Sequence, residues 1–521
     1  MTTLLQRFSA VVKGVISGFD RIVFKGSVLP LMHNDGAASF MRSKKVLNKD
    51  YSNWVIKQTQ SIVEPAEKLA QAMNGQRITP ISSSKLRKET LARERQKQQN
   101  IDTGLIGVWS ATESCLSYKA RYSKEKGFPQ LRMEWTKCKH LYFYFDHEEY
   151  GFMNVRLQTW FPYHIQICIN GREWLRRNLQ QQGIGFSAIG NKFLHIDDYQ
   201  KAQYWLDAQL DTAWPSMLEG FLPIVFPAME QILGKYLSYY WTMWQSEWAT
   251  DYIFTSPKAI VPISNSLLQH AFMTGTSTRV LRYLDRPITV EGKPYANMNN
   301  DVHSRVLDFQ DGLRVRHWVD SNSVKVYNQQ NVLRIETTIN DPRMFKVFRR
   351  AQGEPQSQPK RRLGLRKGVA DIPLRAQISQ EINNRFLEQL ATFQDDQSFN
   401  DLFAGVCKAR TKSGKRIRGL DITGKDRALL LAISDPAFEI AGISNKALRE
   451  KLSGQAGFKN LTDKQLSAKV SRQLRLLRDH GLIRKLPRQR KYRLTTKGRQ
   501  ITIALPALLS ASVTKLMNIA A

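Results

Sequence analysis

The stretch TDKQLSAKVSRQLRLLRDHG constrains the fold more than any other part of the chain. Leu466, Val470, Leu474 and Leu477 follow one another at spacings of four, four and three, so a helix places them on a single stripe. Thr462 stands at the position of an N-cap. The spacing therefore predicts a helix that begins at Thr462 and buries one face.

Two shorter helices precede this one, and a hairpin follows it. GKDRALLLAIS and SNKALREKLSG predict the helices, with Ser444 as the N-cap of the second. GLIRKLPRQRKYRLTTKGR predicts a strand, a basic tip from Pro487 to Lys491 and a return strand. Three helices followed by a basic hairpin are the layout of a winged helix, whose third helix enters the major groove of DNA while the hairpin touches the backbone.

Basic side chains concentrate in this region. From Lys408 to the end there are 26 Lys and Arg against 7 Asp and Glu, a net charge of +19. Winged helices also serve protein contacts, but this charge favours phosphate binding. We expect nucleic-acid contacts from the following residues of the third helix and the hairpin: Lys469, Arg472, Arg475, Arg484, Lys485, Arg488, Arg490, Lys491 and Arg493.

The motif LLRDHGLIRKLPRQRKYRLTTKG resembles MarR-like winged-helix regulators over roughly residues 421–504. That resemblance implies DNA binding and a homodimer, because MarR proteins are usually dimeric repressors. Here the module follows about 400 other residues, so the likeness extends to DNA binding and not to repression. The whole chain also resembles a bacterial family that shares the segments DRIVFKG, TWFPYHIQICINGREWL and LRIETTIND, ends in a winged helix and brings no established activity with it.

Length and charge limit what the rest of the chain can be. With 521 residues it exceeds one ordinary domain, and its net charge of +33 is of the sign that attracts polyphosphates. Its four cysteines form no CxxC pair, which favours reduced thiols. No window approaches the roughly 20 apolar residues of a membrane span. We expect a cytoplasmic protein that binds DNA, or alternatively RNA, and no membrane.

The periodicity predicts a multidomain α+β protein with a mixed sheet-and-helix body and a C-terminal winged helix. The opening segment predicts an amphipathic helix, GFDRIVFKGSV predicts a short extended segment after it, and residues 197–270 predict a helical block rich in aromatics. The predicted segments are a helical N-terminal region with a basic arm (1–105), an α+β central domain (106–348), a basic linker (349–375), a helical connector (376–420) and the winged helix (421–521).

Two predicted strands, SVKVYNQQNVLRIETTIND, carry an unusual polar face. Alternation places Lys325, Tyr327, Arg334 and Glu336 on one face, with the valines, Leu and Ile on the core face. If NQQN is the turn, Lys325 lies opposite Arg334, and like charges so placed destabilise a sheet unless an anion is near.

The preceding strand LRVRHWV extends this polar face. It adds Arg314, Arg316 and Trp318, and a face of cations and aromatic rings suits nucleic acid. A solvated face with Glu336 as a structural counter-ion explains the same charges.

The pattern KVYN followed by LRIE resembles, over about fifteen residues, rolling-circle replication initiators. The resemblance implies a nucleophilic Tyr327 that attacks a DNA phosphodiester and a Glu336 that holds a divalent metal ion. The chain departs from that family because it has no His-apolar-His pair.

A second enzymatic hypothesis uses separated carboxylates, as in transposases with a ribonuclease-H-like core. Asp146, Asp251 and Glu336 would hold Mg²⁺ or Mn²⁺ at a phosphodiester, with Asp20 as an alternative member. Across the two enzymatic hypotheses the candidate catalytic residues are Tyr327, Glu336, Asp146 and Asp251, and the leading candidate metal ligands are Asp146 and Glu336.

Two smaller features complete the candidates. The basic run from Lys85 to Asn100 predicts a solvated helix, or an arm that faces nucleic acid. Cys138 and His140 are two potential metal ligands without a second pair, so packing explains them better than a metal site.

The charge, the module order and the polar sheet face together favour a DNA-processing protein of a mobile element, a replication initiator or transposase-like nickase delivered by its winged helix. A non-enzymatic regulator with a large sensor or oligomerisation body is the main alternative. A structured-RNA-binding protein is the second.

Overall fold

The computed structural model describes residues 8–73, 76–81, 86–260, 277–286, 302–309, 312–351, 353–390, 399–412, 414–435, 442–455, 457–486 and 489–510, and six further positions, 264, 267, 268, 271, 275 and 438. The chain divides into two compact units. The sheet unit comprises residues 13–254 and 330–381, and the C-terminal unit comprises residues 1–12, 255–329 and 382–521. Both units are discontinuous in sequence, whereas the sequence predicts continuous segments.

The protein is mixed α and β throughout. Its strands are β1 (Val12–Ser27), β2 (Thr79–Pro80), β3 (Gly104–Ser123), β4 (Phe128–His147), β5 (Gly151–Gln158), β6 (Ile165–Asn170), β7 (Phe186–Ile189), β8 (Lys192–Ile196), β9 (Tyr240–Phe254), β10 (His303–Phe309), β11 (Gly312–Val319), β12 (Asn322–Gln329), β13 (Val332–Ile339), β14 (Lys346–Arg349), β15 (Arg361–Gly364), β16 (Arg410–Lys412), β17 (Lys415–Ile417), β18 (Ile483–Lys485) and β19 (Tyr492–Leu494).

The helices are α1 (Asn34–Ser43), α2 (Tyr51–Ala72), α3 (Lys88–Gln98), α4 (Gly171–Gln181), α5 (Tyr199–Ala208), α6 (Trp214–Glu219), α7 (Leu222–Val225), α8 (Met229–Leu233), α9 (Ser277–Tyr283), α10 (Ile372–Leu390), α11 (Phe399–Cys407), α12 (Arg427–Ile433), α13 (Asn445–Leu452), α14 (Asp463–Asp479) and α15 (Thr496–Ser510). Among the described residues, none of these helices is both long and apolar enough to cross a membrane.

A large sheet organises the sheet unit. Its strands follow the order β13, β9, β1, β6, β5, β4, β3, β2. The pairs β13–β9, β1–β6, β6–β5, β5–β4 and β4–β3 are antiparallel, and β2 runs parallel to β3. The apolar face carries residues such as Phe24, Phe143, Val155 and Ile167, and α1, α2 and α6–α8 contribute to the same core.

The other face of this sheet is polar because the strands alternate. The register aligns Tyr142, Arg156, Gln166 and Lys25 in one row across β4, β5, β6 and β1. Alternation thus gives an amphipathic antiparallel sheet, as expected when one face packs on a core.

The C-terminal unit contains an antiparallel three-stranded array, β10–β11–β12, and a helical cluster followed by the β18–β19 hairpin. Leu429, Leu448, Val470, Ile483 and Ile501 belong to one buried cluster, so α12, α13, α14, β18 and α15 share a core.

The structure corrects three sequence predictions. The predicted extended segment GFDRIVFKGSV lies in β1 as far as Ser27, but β1 begins earlier, so residues 12–17 are strand and not helix, and residues 240–254 of the predicted helical block form β9. Both strands lie inside the sheet, where burial by neighbouring strands outweighs local propensity. The predicted linker 349–375 contains β15, which pairs with β14, and the start of α10. The sequence also predicts that the helix DYSNWVIKQTQSIVEPAEKLAQAMNG ends at Gly75, a position outside the described residues.

Candidate nucleic-acid interface

Helix α14 has the start and the buried stripe that its sequence predicts. The Thr462 side chain accepts a hydrogen bond from the Gln465 backbone, and Gln465 Oε1 accepts one from the Thr462 backbone at 3.0 Å, forming a capping box. Leu466, Val470, Leu474 and Leu477 are all buried, as predicted. The opposite face is therefore left to the polar residues.

The polar face of α14 is basic and borders a concavity. Arg472 and Arg475 are exposed. Arg418, Gln465, Lys469 and Arg472 help to line a cavity of about 680 Å³ beside the helix. Lys469 is half-buried, and its Nζ donates to the Gly457 carbonyl at 2.5 Å and lies 4.6 Å from the centre of the Phe458 ring. Its ammonium is thus partly engaged within the protein.

In the β18–β19 hairpin, cationic residues on the two strands lie directly opposite each other. Arg484 pairs in register with Arg493, and both are exposed. Directly opposed like charges destabilise an isolated hairpin, so an anion beside them would be favourable. Lys485, Arg490 and Lys491 are exposed as well, whereas Arg488 and Pro487 lie outside the described residues.

The β10–β11–β12 array carries a second basic surface. Arg305, Arg316 and Lys325 align in one row across the three strands. Arg314 pairs with Tyr327 on the same face, so the predicted association of Arg314, Arg316, Lys325 and Tyr327 is confirmed. Lys325 and Tyr327 are half-buried, and the Lys325 Nζ lies 5.8 Å from the centre of the Tyr327 ring.

Aromatic rings lie beside this row. His303 stacks on Trp318 with ring centres 5.1 Å apart and an interplanar angle of 18°, and the Arg316 guanidinium lies 5.5 Å from the Trp318 ring centre. Neither His303 nor Arg305 was among the sequence candidates. They sit on a strand whose own pattern, HSRVLDF, carries no strong nucleic-acid signal, and only strand pairing brings them to the row.

Arg334 and Glu336 are buried, unlike the exposed Arg305 and Arg316. Both side chains are buried on β13, with 1% of each residue exposed, and Arg334 pairs in register with Asp251 on β9. The prediction of Arg334 as a nucleic-acid contact is wrong for this reason: its guanidinium is occupied inside the sheet unit.

Arg334 is the centre of a buried charge cluster. Its Nε and Nη2 donate to the two carboxylate oxygens of Asp251 at 2.6 and 2.8 Å, and its Nη1 donates to Asp20 Oδ1 at 2.8 Å. Nη2 also donates to the Asn191 carbonyl at 2.7 Å. The bidentate geometry with Asp251 is the strongest form of such a pair.

A second guanidinium completes the cluster. Arg172 Nη2 donates to the Ala249 carbonyl at 2.9 Å and lies 3.2 Å from Asp251 Oδ2. Burial lowers the pKa of Arg172, and the charges of Asp251 and Asp20 oppose that shift. Two carboxylates and two guanidiniums therefore pair with one another in a largely buried place. No sequence signal pointed to Arg172, which follows Asn170 and Gly171 at the start of α4.

This geometry does not support the hypothesis that Asp146, Asp251 and Glu336 hold a metal ion together. Both oxygens of Asp251 accept from Arg334, and Asp20 is shared by Arg334 and the Asn191 amide. Asp146 is held elsewhere, by Arg177 and by Gln96 Nε2 at 2.7 Å. Within the described part of the chain, no three carboxylates come within metal-ligating distance of one another. Tyr327 belongs to the C-terminal unit and Glu336 to the sheet unit.

Helix α3, the predicted basic arm, packs on the polar face of the sheet. The Arg93 guanidinium lies 3.9 Å from the Phe152 ring centre, and that of Arg95 lies 4.3 Å from the Trp109 ring centre. Lys88 Nζ donates to Glu113 at 2.7 Å and lies 4.3 Å from the Tyr142 ring centre. The segment is thus anchored through its own cations, which a solvated helix or a loose arm would not be.

A groove of about 780 Å³ runs between α3 and the sheet. Its charged lining residues are five cations and two carboxylates: Arg21, Arg87, Lys88, Arg93, Lys97, Glu89 and Glu94. Tyr142, Tyr144 and Asn154 form its floor. Burial alone would raise the pKa of nearby Glu113, but hydrogen bonds from Lys88 and Tyr142 and the charge of Arg156 lower it to about 2.

The polar row of this sheet was visible in the sequence without being singled out. NVRLQ, HIQICIN and DRIVFKG each alternate polar and apolar residues, which is the period of a half-buried strand. Their common face could not be inferred because it depends on the strand order. No family model, no curated protein and no solved structure matches this chain.

Proposed function

We propose that this chain is a DNA-binding protein and that residues 421–510 form a winged helix that binds duplex DNA. The opposed pair Arg484–Arg493 on an exposed basic hairpin is the observation that carries the proposal. Such a pair costs stability in the free protein and is stabilised by a phosphate between its members.

The surrounding elements support the same interpretation. Three helices precede the hairpin, Ile443 bridges to Tyr492 beside it, and α14 presents exposed Arg472 and Arg475. A third helix with a basic outer face and a basic hairpin suit a major groove and its flanking phosphates.

The row on β10–β12 favours a second contact, with single-stranded nucleic acid. Its cations meet phosphates, and the stacked His303 and Trp318 rings offer a surface for a base. A DNA-processing protein needs both kinds of contact, and so does a protein that binds structured RNA. Digestion of co-purified nucleic acid with ribonuclease and with deoxyribonuclease separates these two.

The test is the salt dependence of duplex binding by the full-length protein. A variant that replaces Arg484, Lys485, Arg490 and Arg493 with Ala should bind more weakly at every sequence, and its slope of log K against log salt should fall by about 0.9 for each lost phosphate contact. The matched control replaces four exposed cations on or beside α1 and α2: Arg42, Lys49, Lys57 and Lys68. An equal loss in both variants would mean that only net charge matters, and no binding by the wild type would refute the proposal.

The nicking hypothesis stays a prediction. Supercoiled DNA incubated with Mg²⁺ or Mn²⁺ should be nicked by the wild type and not by Tyr327→Phe. A wild type that never cleaves, while it binds DNA as proposed, leaves the regulator as the better description.

A further inference from the structure

We infer that Cys115, Cys138 and His140 form a binding site for a thiophilic metal ion, Zn²⁺ or Cu⁺. The three side chains lie on the polar face of β3 and β4. Cys138 and His140 are two residues apart on β4 and so share a face, and Cys115 on β3 lies two residues along from Glu113, the register partner of Cys138. The two sulfur atoms and a ring nitrogen of His140 all lie within 4.8 Å of one another.

The two sulfur atoms lie close to the spacing that two ligands of one metal ion have. The two Sγ atoms are 2.9 Å apart, and the His140 ring lies beside them, with its Nδ1, which is not the proposed ligand atom, 3.9 Å from Cys138 Sγ. Metal–sulfur bonds of about 2.3 Å and metal–nitrogen bonds of about 2.0 Å at tetrahedral angles separate the ligand atoms by roughly 3.5–3.8 Å. A bound ion would therefore move the two sulfur atoms apart by less than an ångström, which side-chain rotation supplies.

His140 carries the inference beyond a pair of contacting thiols. Its ring is wholly buried, and its Nδ1 lies 3.2 Å from the Cys138 carbonyl. A donated hydrogen bond to a backbone carbonyl is the usual means of fixing the tautomer of a metal-ligating histidine. That tautomer leaves a lone pair on Nε2, which has no hydrogen-bond partner among the described residues. A buried nitrogen without a partner is costly, and coordination would satisfy it.

Burial and charge agree with this assignment. Cys115 and Cys138 are buried, with 6% and 2% of each residue exposed, so the sulfur atoms lie away from bulk solvent. Two thiolates neutralise a divalent ion, and the positive charge of Arg156, which also pairs with Glu113 at 3.0 Å, acts on both cysteines. Two soft sulfurs and an imidazole select zinc or copper(I) over magnesium or calcium.

The two ions differ in what they require. Copper(I) is satisfied by three ligands, whereas zinc takes a fourth, such as water. Either ion would link β3 to β4 next to residues 116–135, which form the end of their hairpin. The site is independent of the proposed DNA contacts, which lie in the C-terminal unit.

The experiment uses the full-length protein, purified with a reductant and freed of metal by a chelator. Titration with Co²⁺ as a probe should give a sulfur-to-metal charge-transfer band that saturates at one ion per chain, and Zn²⁺ should abolish it. A parallel titration with Cu⁺ against a chelator of known affinity decides which ion binds more tightly. We expect Cys115→Ser and His140→Gln to weaken binding by about 100-fold or more, since even supporting residues outside the coordination shell contribute roughly 10–100-fold.

The double variant Cys168→Ser, Cys407→Ser is the matched control, because it removes the other two cysteines and leaves the site intact. It should bind as the wild type does. Thiol titration of the metal-free protein should find four free thiols. A Co²⁺ band that is absent from the wild type, unchanged affinity in His140→Gln, or a Cys115–Cys138 disulfide under reducing conditions would each overturn the site. If Cys115→Ser does not fold, the wild-type band and the His140→Gln affinity decide the question.

Discussion

Arginine serves opposite purposes in the two units of this protein. In the sheet unit, Arg334 and Arg172 lie buried against Asp20 and Asp251, and their charges are balanced inside the fold. In the C-terminal unit, Arg484 lies exposed and directly opposite Arg493. The contrast shows that an arginine count gives a charge, whereas the neighbours decide whether that charge stabilises the fold or is offered to a partner.

Breaking the buried cluster should have the largest effect. Arg334→Leu leaves Asp251 and Asp20 without their main counter-ion in a largely buried place, and removal of one partner of a buried pair costs about 3–5 kcal/mol. Urea unfolding of the sheet unit, followed by tryptophan fluorescence, should show this loss or an insoluble protein.

The matched control for that variant is Arg343→Leu, which removes an exposed guanidinium that pairs with Asp341 at 2.6 Å. It should leave the unfolding midpoint almost unchanged because solvent screens such pairs. Equal midpoints for the two variants would contradict the distinction between buried and exposed arginines.

Removing the Trp318 ring, which lies beside the row of Arg305, Arg316 and Lys325, should weaken nucleic-acid binding without affecting folding. Trp318→Leu on β11 deletes the ring that stacks on His303, so affinity for a single-stranded oligonucleotide should fall by the equivalent of about 1–3 kcal/mol, the range for one stacked base. Fluorescence anisotropy measures it. Tyr236→Leu, which removes a 99% exposed ring of the sheet unit, is the control. Weaker binding of duplex but not of single strands would assign Trp318 to another surface.

Besides the buried paired arginines and the exposed opposed ones, a third case is a histidine that burial keeps neutral. His317 lies next to Arg316 on β11 but faces the core, between the Tyr283 and Phe386 rings, with Ser304 Oγ at 2.7 Å. Burial lowers the pKa of His317 to about 4, against about 6.5 in the unfolded chain.

Because the folded pKa is the lower one, unfolding takes up a proton as the pH falls. The stability contributed by His317 is complete above pH 6.5 and is lost between about pH 6.5 and 4, at up to about 1.4 kcal/mol per pH unit. His317→Gln should flatten the pH dependence of the melting temperature between pH 7 and 5. Parallel curves for wild type and His317→Gln would disprove the effect.

We expect the smallest effect from Arg493→Gln, which should raise stability but lower affinity for duplex DNA. Arg493→Gln removes one member of the opposed pair, so the free protein should gain about 0.2–1 kcal/mol. The same variant should bind duplex DNA more weakly, with a salt slope lower by about 0.9. A variant that loses both stability and affinity would show that Arg493 is structural.

Local signals gave the C-terminal elements correctly because each is encoded within a few residues. The capping box at Thr462 and the stripe from Leu466 to Leu477 need only the helical period. The face shared by Arg316 and Lys325 follows in the same way from alternation in two adjacent strands. The first part of β1 and the whole of β9 were missed because their environment in the sheet, and not their own composition, makes them strands.

The amino-acid sequence alone determined the net charge, the periods of its helices and strands, and the concentration of cations near the C-terminus. Only the tertiary structure decided which charges meet. Asp20, Arg172, Asp251 and Arg334 are far apart in sequence yet form one buried cluster, and Cys115 joins Cys138 and His140 across a hairpin. The physical reason is that electrostatic and coordinate interactions depend on distance in space, which strand order and register set and no single segment encodes.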